Sequence, residues 1–219
     1  MSDSKLAVIT GGSGDLALTV ASALEVEMAV LAPSSDELNV RCGDSVLNYF
    51  SQIDKLDLLV CNAGIIEDKM LAKMPEESWD RVIDTNLKGA FLTARAAAKI
   101  MMKQRPASGH IVFISSYAAF HPSFGQSSYA AAKSALAGLA KSLAHELGSR
   151  NIRVNVIVPG FMKTKMTRNL PRDIISTIRQ RHTLAEFNTP EAVAKFIRYV
   201  HLEMPATSGQ IFNLDSRIL

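Results

Sequence analysis

Two stretches of this chain are apolar at almost every position and end abruptly in polar, turn-forming residues. Leu6–Thr10 (LAVIT) runs into Gly11, Gly12, Ser13 and Gly14, and His110–Ser115 (HIVFIS) runs into Ser116. A strand with one face in water alternates polar and apolar residues, so an uninterrupted apolar strand is one covered on both faces. That requirement points to a parallel sheet sandwiched between helices. Further strand-like runs occur at Met28–Ala32, Leu56–Val60, Arg153–Val158 and Gln210–Leu214. Helical stretches are predicted at Asp15–Leu24, Ser45–Gln52, Pro75–Met102 with an interruption near Thr85–Asn86, Tyr129–Leu147, and from Thr189–Pro190 onward, where Thr is a good N-cap and Pro suits the first turn. At 219 residues the chain is read as one α/β domain, 1–219, long enough for a substantial core.

The chemistry concentrates between Gly109 and Lys133. Tyr129 and Lys133 sit four residues apart in an Ala-rich helix, and so project from one face. Ser116 lies at the carboxyl end of the preceding strand. A hydroxyl, a phenol and an ammonium at a strand end suit proton transfer to or from a carbonyl oxygen. A phenol ordinarily titrates near pH ~10, and a neighbouring ammonium is expected to lower that value. The serine hydroxyl can hold the substrate oxygen. A lone Tyr-x-x-x-Lys is usually packing plus a solvated charge; the upstream serine and the strand-to-helix context reverse that reading. At the N-terminus, strand, glycine turn and helix form the arrangement that turns backbone N–H groups toward a pyrophosphate.

These motifs together identify the sequence as resembling a short-chain dehydrogenase/reductase of the single-domain kind, most like the 3-oxoacyl-[acyl-carrier-protein] reductases. The resemblance implies a Rossmann fold with a doubly wound parallel sheet of about seven strands. It implies catalytic roles for Asn86, Ser116, Tyr129 and Lys133. Cofactor contacts are implied at Gly11, Ser13, Gly14, Asp15, Leu16, Ser34, Asn39, Val40, Asn62, Ala63, Gly64, Tyr129, Lys133, Pro159, Gly160, Met162 and Thr164, and no metal is expected. The stretch TGGSGDLA departs from the family's Thr-Gly-x-x-x-Gly-x-Gly: Asp15 and Ala17 stand at the second and third glycine positions. The strand ending at Ala32 runs into Pro33, Ser34 and Ser35, with Asp36 too late to pair with the free ribose hydroxyl of NAD, which favours NADP over NAD slightly, the serine hydroxyls being candidates for its 2′-phosphate. About six residues separate that strand from a third strand expected at Leu38–Arg41, whereas a parallel crossover takes about a dozen or more, so the adenosine side is trimmed. Asn39 and Val40 align with the family's adenine-side pair.

Residues 161–189 are expected to form the substrate lid. From Lys163 to Arg181 it carries Lys163, Lys165, Arg168, Arg172, Arg179 and Arg181 against Asp173 alone. The plain reading is a solvated face; the sharper one is a docking surface for acyl carrier protein or a coenzyme A thioester. Ala131, Ala135, Gly138 and Ala140 suit close helix contacts, and relatives dimerise through this helix, so a homodimer or homotetramer is expected. A formal charge of +3 is too small to argue for nucleic acid. Cys42 and Cys61 fit neither a metal-ligand spacing nor a disulfide framework. With no basic-plus-apolar leader in MSDSKLAVIT and no stretch approaching a membrane span, a cytoplasmic enzyme is expected. Two alternatives stand beside the thioester reductase: a family member acting on a sugar, steroid or polyketide ketone, and a non-catalytic member serving as a partner protein.

Overall fold

The structure, a computed structural model, describes residues 5–218. In chain order the elements are β1 (Leu6–Ile9), α1 (Asp15–Leu24), β2 (Ala29–Leu31), α2 (Gly43–Phe50), β3 (Leu58–Cys61), α3 (Glu76–Ile83), α4 (Gly89–Lys103), β4 (Gly109–Ile114), α5 (Ser127–Gly148), β5 (Ile152–Val158), α6 (Arg172–Gln180), α7 (Pro190–Glu203) and β6 (Ile211–Asn213). The strands form one parallel sheet in the order β2-β1-β3-β4-β5-β6. The period of two decides which residue serves which face. On β1, Val8 packs into the cluster with α2, α4 and α5, while Ala7 and Ile9 pack into the cluster with α1 and α7. β3 is buried at all four positions, as double coverage demands.

Among the described residues the sheet has six strands rather than about seven. Leu38–Arg41 does not join it: the segment is a turn, in which Leu38 and Val40 are buried against the α2–α4 side. Val40 lies so close to Gly89 that a Cβ added there would come within 2.7 Å of it. The link from β2 is too short to cross over and return in parallel, so the apolar pair fills core space instead and β2 becomes the sheet edge. The expected interruption at Thr85–Asn86 is present as a wider π-type turn, Asp84–Lys88, between α3 and α4. Thr189 caps α7 by accepting the Ala192 N–H at 3.2 Å, with Pro190 in the first turn.

Candidate active site

Every strand of a parallel sheet points its carboxyl end the same way, so the residues that follow β1, β3, β4 and β5 gather along one rim. Ser116, just past β4, accepts the Ala118 N–H through its hydroxyl at 3.2 Å and thereby caps a short 3-10 turn. Tyr129 and Lys133 occupy the first turns of α5, both buried. The α5 helix is fastened to the end of β4 from both sides: Ser115 Oγ donates to the Lys133 carbonyl at 2.9 Å, and Lys133 Nζ donates to the Ile114 carbonyl at 2.8 Å. The ammonium lies 5.8 Å from the centre of the Tyr129 ring.

The π-type turn brings in Asn86. Its side chain clamps the loop after β3, with Oδ1 accepting the Ile65 N–H at 2.8 Å and Nδ2 donating to the Ile65 carbonyl at 2.9 Å. Gly64 is the point where these parts meet. A Cβ added to it would stand 3.0 Å from Asn86 Oδ1 and 3.4 Å from Lys133 Nζ. Asn86, Lys133 and the Asn62-Ala63-Gly64 turn are therefore one contiguous group.

Burial dominates the electrostatics. It pushes the Tyr129 phenol above its ordinary value; the adjacent Ser116 hydroxyl pulls the other way and the Asp68 carboxylate adds to the rise. The sequence-based expectation of a phenol lowered by Lys133 is thus reversed in the free protein: burial and the Asp68 carboxylate raise it, and only the Ser116 hydroxyl opposes them. Lys133 itself is lowered to about 8 by burial. Burial also raises the Cys61 thiol to about 12, which leaves it an inert core residue.

The glycine turn shows the same economy of space. Gly11 has φ +72° and lies so close to Ala63 that a Cβ would approach its Cα at 2.9 Å. Gly12 donates to the Pro33 carbonyl at 2.8 Å, and a Cβ there would overlap the Ala32 carbonyl. Thr10 Oγ1 accepts the N–H groups of both Asn62 and Ala63 at 3.0 Å, while Asn62 Nδ2 donates to the Thr10 carbonyl at 3.1 Å. The turn after β1 and the turn after β3 are locked together by this exchange. Gly14 is the N-cap of α1 and offers no side-chain oxygen, so it leaves the first-turn amides around Asp15 and Leu16 uncapped by its own side chain, as an anion site would require. The backbone cradle and the buried lysine fit a nicotinamide dinucleotide.

Asp15 turns away from that cradle: its carboxylate accepts the Lys165 N–H at 2.5 Å. Ser13 and Leu16 sit on either side of the Gly14–Asp15 junction. On the adenosine side, the Ser34 N–H donates to the Glu37 carboxylate at 2.8 Å, which holds that carboxyl below its ordinary range. Asn39 is exposed and accepts the Arg41 N–H; Val40 faces the core. Beyond β5, Pro159 and Gly160 (φ +80°) lead to Met162, which bridges to Asn188, and to Thr164, whose N–H donates to Thr167 Oγ1 at 2.9 Å. α6, within the basic stretch Lys163–Arg181, has no buried residue.

Several structural residues carry no signal of their own in the sequence. Thr10 reads there only as one letter of a motif, and its two-amide acceptor role is visible only once β1 and β3 are neighbours. Asp215 accepts the Phe161 N–H at 3.3 Å and the Arg217 Nε at 2.9 Å. Its carboxylate lies 3.5 Å from His182 Nε2, with both side chains buried. Arg217 in turn stacks 3.9 Å over the ring of Tyr117, the neighbour of Ser116. This cluster ties the C-terminal segment to Phe161 and His182.

Fold and site together define a dinucleotide-binding α/β protein with a Ser, Tyr, Lys and Asn group at the strand ends. The short-chain dehydrogenase profile matches residues 37–174. The chain is 38% identical to the 3-oxoacyl-[acyl-carrier-protein] reductase of Thermotoga maritima over 187 residues, 83% of this chain and 75% of that protein. It is 36% identical to the corresponding reductase of Aquifex aeolicus, over 95% of this chain and 85% of that one. A short-chain dehydrogenase/reductase of Mycobacterium marinum superposes with a TM-score of 0.89 at 28% identity, covering 97% of this chain and 94% of that one. The chain belongs to the short-chain dehydrogenase family and is an oxidoreductase.

Proposed function

We propose that this protein reduces the 3-oxo group of an acyl thioester, carried by acyl carrier protein or coenzyme A, with NADPH as the hydride donor. The observation that carries the reading is the group around Gly64, where a buried lysine, the Asn86 clamp and the helix bearing Tyr129 meet beside Ser116. The nicotinamide, when bound, supplies the hydride. Ser116 positions the substrate oxygen and Tyr129 donates the proton to it. Lys133 holds the ribose and sets the charge beside the phenol, and Asn86 supports proton resupply through the kinked helix backbone. A phenol raised by burial stays protonated at neutral pH, which suits donation and hence reduction.

Gly11, Ser13, Gly14, Asp15 and Leu16 would hold the pyrophosphate, Ser34, Asn39 and Val40 the adenosine end, and Asn62 to Gly64 with Pro159, Gly160, Met162 and Thr164 the nicotinamide end. The basic lid offers its six cations to the acidic carrier or to the phosphates of coenzyme A. A cytoplasmic homodimer or homotetramer is part of this reading; Ala131 and Gly138 lie exposed on α5, with open space at Gly138, whereas Ala140 is spent in the core. Among the described residues no helix is long and apolar enough to cross a membrane.

Glu37 favours a second reading of the cofactor. Its carboxylate at the Ser34 N–H stands where a 2′-phosphate would be repelled and a ribose hydroxyl accepted, which favours NADH. Parallel titration with NADPH and NADH, followed by turnover on carrier-bound, coenzyme A-bound and free ketones, tests both readings. Tighter NADPH binding and preference for thioesters support the first. Preference for NADH, lost in Glu37→Gln, supports the second.

A further inference from the structure

The family's dinucleotide turn carries glycine where this chain has Asp15, and a carboxylate at the start of α1 would repel a pyrophosphate. The structure shows what answers it. Lys165, the third residue of the lid segment after Met162, donates its backbone N–H to Asp15 Oδ2 at 2.5 Å and places its ammonium 3.6 Å from Oδ1. The base of the lid is itself well fixed. Asn188 donates to the Pro159 and Leu214 carbonyls at 2.7 and 2.8 Å, and Thr167 Oγ1 donates to the Met162 carbonyl at 2.7 Å. The contact therefore joins two anchored elements. Two clefts, of about 510 and 360 Å³, adjoin Asp15, and both are lined by Asp15 and Lys163.

From this geometry we infer that Asp15 and Lys165 form a latch coupling the lid to the cofactor turn. The inference rests on the cofactor reading above. With the lid docked, the aspartate charge is drawn to Lys165 and partly offset, and the first-turn amides of α1 remain available to the pyrophosphate. With the lid undocked, the carboxylate is released beside those amides and opposes the dinucleotide. Cofactor binding and lid closure thus favour each other in this chain. A relative with glycine at this position has no such linkage, because no charge there needs an answer. Lys165 is a positioning residue that acts on the cofactor through Asp15.

The test is a double-mutant cycle read by NADPH affinity, together with hydrogen exchange of the lid in the free protein. Asp15→Asn is expected to tighten NADPH binding about three- to tenfold, the scale of a partly exposed charge near a helix N-terminus. Lys165→Met should weaken binding by a similar factor in the wild-type background and have no effect in the Asp15→Asn background, and Lys165→Arg should restore it. In the free protein, exchange at the Lys165 amide should accelerate in Asp15→Gly. Equal weakening by Lys165→Met in both backgrounds overturns the coupling. Slow exchange that is indifferent to Asp15 overturns the latch itself. Failure of every form to bind NADPH overturns the cofactor reading and the coupling with it, and the exchange result tells the two failures apart.

Discussion

Tyr129 and Lys133 occupy one buried space, and the cost of burying each shifts them in opposite senses. The phenol rises and the ammonium falls to about 8, so near neutral pH both carry their protons and the site is set for reduction. As pH climbs through about 8, Lys133 loses its charge in the free protein first. The kcat/KM for reduction should therefore show an alkaline limb near pH ~8; a profile flat up to the ordinary lysine value of 10.5 would contradict this origin. Tyr129→Phe should lower turnover by at least about a thousandfold, the upper range for loss of a positioned proton donor, with NADPH affinity nearly unchanged in a fluorescence titration. Substantial residual turnover would remove Tyr129 from the proton-donor role. Gly64→Ala is expected to cost activity without unfolding the chain, since its Cβ would press on Asn86 Oδ1 and Lys133 Nζ together. An unchanged rate in that variant would mean the two groups need not be held so closely.

Elements that carry a local signature are readable from the sequence alone. The span of α1 follows from the glycine turn and the first apolar run, and α7 from its Thr-Pro start. The kink at Thr85–Asn86 is legible because its surrounding string is distinctive, although a π-type turn has no local signature of its own. Leu38–Arg41 misleads for a physical reason: an apolar pair looks alike whether it pairs in a sheet or plugs a core, and only the length of the crossover separates the two. Thr10 meets its amide partners 52 and 53 residues downstream, and Asp215 meets Phe161 54 residues upstream, so no spacing announces either. A pair of histidines far apart in sequence behaves likewise. His110 on β4 and His201 on α7 stack at 5.7 Å, with Arg153 on β5 and Lys5 before β1 adding positive charge. Both imidazoles are held below their ordinary value, His201 to about 4, chiefly by burial. Below the ordinary histidine value of 6.5 the unfolded chain takes up protons that the native state refuses, so stability falls as pH drops from 6.5 toward 4. Urea titrations at successive pH values should show this loss, reduced in His201→Gln; an unchanged slope in the variant would assign the loss elsewhere.

Across the molecule, the described sheet ends at β2, one strand short of the seven expected, while Asn86, Ser116, Tyr129 and Lys133 gather at the strand ends proposed to be catalytic. The molecule is thus expected to bind its nicotinamide cofactor more weakly than relatives with the full edge, and to recover part of that affinity through the lid. Docking of an acidic carrier on the six-cation lid should weaken as salt rises, because exposed charges are screened over about 8–10 Å at physiological ionic strength; KM for the carrier-bound substrate should rise with salt while that for a free ketone stays level. A salt-independent KM would place carrier recognition elsewhere. The most direct test of the central claim is the rate of NADPH consumption by the purified protein with a carrier-bound 3-oxoacyl thioester. Steady turnover that Tyr129→Phe abolishes is the expected result. No consumption of either NADPH or NADH, with no binding of either, would show that Asp15 and the lost edge have disabled the site and that this family member works as a partner protein.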